Sequence, residues 1–436
     1  MTGKLKILII LLLVLTALNG CGMIHIDQLY CLPKKAEKYA SLQSAMDTFI
    51  GSADFSAPVS GAHQQVVQSA DLDGDGISEF LVFTKEQEDR PLRIYIFKVS
   101  EQECSLLDCI QFSASDFDQV AYVDMDGNGG CEIIVGCTLE SKMLSFVSVY
   151  SLRSGCLEKK LSTVYSEFLT TDLNGDGSRE LLVLKPAETG AEYGIAELFS
   201  LATVNEVVAQ SISLTRSTQQ PLRIIGGNTI DGKNAVYISS ATAEGCITTD
   251  VLFLSNGQLD KLTVTSESSV NENAEYFLED LNGDGIPEIP TLISMRLPEG
   301  IAAGESQHLV RWFSVASDGT QADQLYTYHN LAGGWYLRLD SAIADDICVV
   351  QQGSSYEFGI WKEDGTQRQT LFTIYALTGQ KREEQAVANN RFVLHRTSST
   401  VYAAKLEVAS AAYGMSRDSM VNSFHRILPD WGRGGR

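Results

Sequence analysis

Four short acidic stretches constrain this chain more than any other feature. "DLDGDGISE" spans 71–79, "DMDGNGGCE" 124–132, "DLNGDGSRE" 172–180 and "DLNGDGIPE" 280–288. Each has Asp or Asn at positions 1, 3 and 5, Gly at 4 and 6, and Glu at position 9. Carboxylates packed this closely repel one another, so an ordered loop needs a cation among them. A single stretch of this kind could be a solvated turn; four with one spacing are a device. Calcium takes six to eight oxygens, often from side chains at positions 1, 3 and 5 and a backbone carbonyl at 7. The pattern therefore nominates Asp71, Asp73, Asp75, Ile77 and Glu79 in the first loop. The second offers Asp124, Asp126, Asn128, Gly130 and Glu132, and the third Asp172, Asn174, Asp176, Ser178 and Glu180. The fourth offers Asp280, Asn282, Asp284, Ile286 and Glu288. About four Ca²⁺ ions are expected, in a structural role. An EF-hand shares the first half of the pattern, but it carries its glutamate at position 12 between two helices. Here the glutamate comes three residues earlier, and the flanks "QQVVQSA" and "EFLVF" are short and rich in strand-forming residues.

The first aspartates stand at 71, 124, 172 and 280, and the last gap is about double the others. A degenerate copy fills it: "GNTIDGKNAVYIS" (227–239) keeps Asp231 but has Lys233 and Ala235 where ligands would stand. Weaker copies follow at "YLRLDSAIADDICVV" (336–350), around Asp340, and at "ANNRFVLHR" (388–396). The period is near fifty residues, and about four strand signals recur within it. In the first repeat these are "HQQVVQS", "EFLVF", "LRIYIFKV" and "SLLDCIQF". A repeat of about 40–50 residues with four short strands is a propeller blade. The expected fold is all-β, a β-propeller of about seven four-stranded blades with short N- and C-terminal helices.

These loops resemble those of the VCBS/FG-GAP repeat family, the integrin-α-type β-propellers. The resemblance covers roughly residues 60–405 and rests on the calcium loops; no clear "FG…GAP" tract is present. It implies calcium held in hairpin loops between adjacent strands of a blade.

The N-terminus "MTGKLKILIILLLVLTALNGC" has two lysines before an apolar core from Ile7 to Leu18. That core is a signal-peptide length, too short for an ordinary membrane span. It ends in Leu18-Asn19-Gly20-Cys21, which resembles a bacterial lipobox and implies lipidation of Cys21. Two or more acyl chains suffice for stable anchoring. The expected organisation is a signal peptide at 1–20, a lipidated spacer with a short helix at 21–59, the propeller at 60–410, and a C-terminal helix and tail at 411–436. The expected location is the extracytoplasmic side of a bacterial cell membrane. Net charge is −22 over the whole chain; loss of Lys4 and Lys6 with the signal makes it −24, and four Ca²⁺ ions bring that to −16. Such a surface repels nucleic acid and anionic lipid.

Nine cysteines are scattered without a zinc-like pair. Cys104 lies near Cys109 and Cys131 near Cys137, as buried thiols or as disulfides. Tyr39, Leu42, Ala45, Met46 and Phe49 form one stripe of a helix from Ala36 to Ile50. Ser416 caps a second helix carrying Met420, Phe424 and Ile427, stopped by Pro429 and followed by Trp431. No HExxH, GxSxG or P-loop is present, so no catalytic residue is nominated. The expected role is a binding or adhesion module for a protein or glycan. The alternative is a propeller-fold polysaccharide lyase or glycosidase. Trp312, Trp335, Tyr336, Tyr356 and Trp361 are either a glycan platform or core.

Overall fold

The computed structural model describes residues 37–100, 103–139, 145–153, 155–185, 193–201, 207–216, 223–242, 246–266, 276–295, 308–361 and 368–427. The signal segment, Cys21, Pro429 and Trp431 lie outside them. The architecture is all-β: six antiparallel sheets, each of four or five strands, follow one another along the chain. The first holds Val67–Ala70, Glu79–Lys85, Leu92–Val99 and Cys104–Phe112, with Asp54–Phe55 added on Glu79–Lys85. The second (116–165), third (167–213) and fourth (223–266) have four strands each in simple chain order.

Strict alternation along the strands explains how the sheets stack. Leu81, Phe83, Leu92, Ile94 and Ile96 point to one face of the first sheet and meet Phe117, Ile133 and Val135 of the second. Ile134, Val147 and Val149 on the second sheet's other face meet Leu181 and Val183 of the third. Leu182 and Leu184 meet Val236 and Ile238. Tyr237 and Val251 meet Ile289 and Phe313. The fifth and sixth sheets share the largest core, with Tyr328, Trp335 and Leu337 against Phe358, Phe372 and Ile374. Each core lies between sheets consecutive in the chain.

The two outer faces are closed differently. The helix Glu37–Phe49 lays Leu42, Ala45 and Met46, with Ile50 just beyond it, over Phe80, Val82, Tyr95 and Phe97 of the first sheet. Of the stripe read from the sequence, Leu42, Ala45 and Met46 form the packing face and Phe49 sits at its rim, 47% exposed; the Tyr39 side chain lies outside what is described. On the sixth sheet the helix Arg382–Val387 brings Ala386 against Leu377, Val401 and Ala403. Among the described residues no buried cluster joins the sixth sheet to the first.

Three expectations require correction. The seventh anchor opens no sheet: Phe392–Arg396 pairs with Thr400–Leu406 as an edge of the sixth. The sixth anchor is not a degenerate metal loop. The strand Trp335–Leu339 before it pairs back onto Gln321–Asn330 of the fifth sheet, and Asp340 caps the short helix Ser341–Ala344 through Ala342 N–H at 2.8 Å. The C-terminal helix is shorter than its periodicity suggests. It runs Arg417–Ser423 with a Ser416–Ser419 capping box, and Phe424–Arg426 then leaves as a strand paired to Trp335–Leu337. An edge strand offers unpaired backbone groups, and satisfying those of Trp335–Leu337 outweighs one more helical turn.

Trp312 and Trp335 are fully buried and Tyr336 and Tyr356 nearly so, which makes them core and removes them from any glycan platform. The seven described cysteines are free thiols, with Cys137 and Cys348 buried and Cys156 exposed.

Candidate metal centre

Each of the first three acidic loops joins the first two strands of its repeat, and the fourth joins an isolated bridge at Glu279 to the strand Ile289–Ser294. The hairpins close at Ala70–Glu79, Val123–Glu132, Thr171–Glu180 and Glu279–Glu288. Within the loops, the glycines Gly74, Gly76, Gly127, Gly129, Gly175, Gly177, Gly283 and Gly285 all have φ between 71° and 92°. That left-handed backbone costs glycine little and other residues more. It turns two amides inward, so the first aspartate accepts from both. Asp71 takes Gly74 and Gly76 N–H at 2.8 Å each, and Asp280 takes Gly283 at 2.7 Å and Gly285 at 2.9 Å. Asp124 and Asp172 repeat the arrangement with Gly127 and Gly129, and with Gly175 and Gly177.

The position-3 side chains Asp73, Asp126, Asn174 and Asn282 accept from the amide two residues on. Asp75, Asn128, Asp176 and Asp284 at position 5 do the same with the amides of Ile77, Gly130, Ser178 and Ile286. The position-7 residues thus appear here as amide donors. Their carbonyls remain the sequence-based assignment. Asn174 and Asn282 also donate through Nδ2 to Asp176 and Asp284, at 2.8 and 2.9 Å.

The ninth-position glutamates are the most informative groups. Glu79 and Glu288 are fully buried, and Glu132 and Glu180 nearly so. One oxygen of each accepts from the position-2 amide, at 2.7–3.0 Å. The surroundings of the other oxygen differ between loops. In the second loop it accepts from Ser151 Oγ at 2.9 Å. In the fourth, Glu288 Oε1 has no hydrogen-bond partner, nor has the buried Ser314 Oγ on the neighbouring strand. A buried carboxylate oxygen without a partner costs at least about 1–3 kcal/mol. Burial pushes Glu79, Glu132 and Glu180 above the usual carboxylate range and Glu288 up to about 7. A divalent cation would supply the missing partner, and the all-oxygen donor set fits a hard, oxygen-seeking ion.

Ligand atoms of Asp71, Asp73 and Glu79 come within 4.8 Å of one another, as do those of Asp124, Asp126 and Glu132, and of Asp280, Asp284 and Glu288. Asp172, Asp176 and Glu180 form the same hydrogen bonds but are not drawn into such a trio. Two basic groups unforeseen from the local pattern form ion pairs with loop carboxylates, and Arg338 donates to Leu281 O of the fourth loop at 3.1 Å. Lys98 pairs with Asp73, Asp75 and Glu79, and Arg153 pairs with Asp126. Both sit on the third strand of their repeats, and only cross-strand register reveals them.

The loops touch in series. Asp71 C=O accepts from Cys131 N at 2.9 Å, and Asp124 C=O from Arg179 N at 3.2 Å. Asp172 C=O accepts from the Asn234 side chain. A Cβ at Gly130 would meet Leu72 O at 2.7 Å, so glycine is required where the first two loops touch.

The degenerate copy fails for a geometric reason. Its hairpin closes at Asn228–Asn234, enclosing residues 229–233, whereas the first loop encloses 71–78. Three positions are missing, and Ala235 already lies in the strand, so the alignment of Lys233 and Ala235 with ligand positions 3 and 5 is replaced by a deletion. Asp231 instead accepts from Ser317 N at 2.8 Å and Ser317 Oγ at 2.6 Å, a link to the fifth sheet. Although local desolvation acts the other way, those bonds hold the carboxyl of this exposed residue well below the usual range. Asp231→Ala is expected to cost about 1–2 kcal/mol, more than turn chemistry alone. Equal losses in calcium and in chelator, measured by urea unfolding, would bear this out; a loss present only in calcium would make Asp231 a ligand.

No family model matches the chain, and no curated protein does. Among solved structures it is similar to the exotype rhamnogalacturonan lyase YesX, at 13% identity and a TM-score of 0.27, over 72% of this chain and 62% of that one. A rhamnogalacturonan lyase from Bacillus licheniformis aligns at 13% identity and 0.26, over 71% and 61%. TolB from Acinetobacter baumannii aligns at 13% and 0.23, over 68% and 63%. The chain thus spans about three fifths of those proteins' lengths. At these scores neither a sheet count nor an activity follows from the likeness.

Proposed function

We propose that this protein is a calcium-stabilised array of propeller-type blades, exported and lipid-anchored, that serves as a binding module for a protein or glycan. The observation that supports the calcium reading best is Glu288: a fully buried carboxylate with an unpartnered oxygen beside Asp280 and Asp284. Calcium titration calorimetry of wild type and Glu288→Gln tests it. The substitution keeps shape and removes charge, and is expected to abolish one binding step; an unchanged number of steps would remove Glu288 from the ligands.

Export and anchoring rest on the sequence of residues 1–21. Among the described residues no helix is long and apolar enough to cross a membrane. Cys21→Ser is expected to release the protein from the membrane fraction and abolish metabolic labelling by fatty acid. Retention on the membrane without a lipid would replace the lipid anchor with an uncleaved signal segment.

The binding role is distinguished from the enzymatic one by screening glycans and proteins with and without calcium. Saturable binding without turnover supports the module. Accumulation of unsaturated or hydrolysed sugar ends would instead establish a carbohydrate-active enzyme.

A further inference from the structure

Lys98 stands one residue past the Phe80–Phe97 pair, which places it opposite Glu79 across the hairpin. Its ammonium lies 2.6 Å from Asp73 Oδ2, 2.6 Å from Asp75 Oδ2 and 3.5 Å from Glu79 Oε1. Continuing the registers of the other repeats puts Ser151, Ser200 and Ser314 at the matching place. So one loop in four faces a lysine where the others face a serine. The ammonium engages oxygens at positions 3, 5 and 9, three of those a calcium ion would use.

We propose that Lys98 is a tethered cation that competes with calcium, so that the first loop binds the ion most weakly and fills after the fourth. The inference rests on the reading of these loops as calcium sites. A divalent ion entering the first loop must expel a singly charged group already hydrogen-bonded there. Lys98 can leave without backbone change, because its side chain is 32% exposed and extends from a strand next to the loop. The second loop is intermediate. Arg153 reaches only Asp126, and Glu132 is held by Ser151. No lysine or arginine among the described residues forms an ion pair with Asp172, Asp176, Glu180, Asp280, Asp284 or Glu288. The consequence is graded occupancy: the first loop stays ordered by its own ammonium when calcium is scarce, and takes up the ion only when it is plentiful.

Calcium titration calorimetry on the purified full chain tests this, using Lys98→Ser, which restores the residue of the other loops, and Lys98→Met, which keeps the stem and removes the charge. Melting in chelator is the second readout. Both variants are expected to tighten the weakest calcium step by about tenfold, the scale of a few partly exposed ion pairs. Both should also melt lower than wild type in chelator, where the tethered charge is the only cation. A calcium step present in the variants and absent from wild type would likewise support the proposal. Binding by wild type that neither variant alters would overturn the role of Lys98 alone. No calcium binding by any of the three proteins would overturn both this role and the calcium reading.

Discussion

Trp335→Ala is expected to destabilise the protein by about 3–5 kcal/mol, the range for removing a large aromatic side chain from a packed core. Trp335 is fully buried where three segments meet. Its ring stacks on Phe424 of the C-terminal strand at 5.3 Å and meets Tyr356 of the sixth sheet edge-on at 5.3 Å. Tyr328 and Tyr402 complete the cluster at 5.7 and 6.5 Å. The same place is pinned by polar bonds: Arg426 donates to Gly333 O at 2.9 Å and to Tyr402 Oη at 2.7 Å. Removing the indole therefore loosens the fifth sheet, the sixth sheet and the strand that clasps them. Val408→Ala, at a side chain 94% exposed, should stay within about 0.5 kcal/mol of wild type. Urea unfolding of both variants checks the contrast; a small effect at Trp335 would mean that the C-terminal strand does not hold this core together.

Local chemistry was readable from the chain; relations between distant segments were not. The loop at 71–79 could be recognised as an ordered acidic turn because its carboxylates and glycines lie within nine residues, and the structure ties them by hydrogen bonds inside that span. The strand pattern was readable for the same reason, since alternation is local. Lys98 was missed because it lies 19 positions past Glu79 and meets it only through strand pairing. The three-residue shortening of the hairpin around Asp231 was missed because one surviving aspartate aligned the copy wrongly. The sheet count differed because the anchor at 388–396 has the look of a repeat start, and only pairing shows that Phe392–Arg396 is an edge strand. Phe424 has helical spacing from Met420, but the open edge of Trp335–Leu337 competes for it.

On the proposed reading, bound calcium holds these loops in their folded arrangement. The largest expected effect is accordingly on stability. A ligand that binds only the native state stabilises it by RT ln(1 + [L]/Kd) at each site, about 1.4 kcal/mol at ten times Kd. Three or four filled loops would add about 4–6 kcal/mol at that concentration. The weaker first loop contributes least. In chelator, the carboxylates of the fourth loop face one another with one oxygen of the buried Glu288 unpartnered, so this loop should lose the most. Magnesium should substitute poorly, because it demands near-octahedral geometry and gives up its waters reluctantly. The decisive measurement is the thermal unfolding of the purified protein in chelator, in millimolar magnesium and in millimolar calcium at one ionic strength. A melting temperature that rises by several degrees in calcium alone, and returns when chelator is added back, is the predicted result; coincident melts in all three media would contradict it.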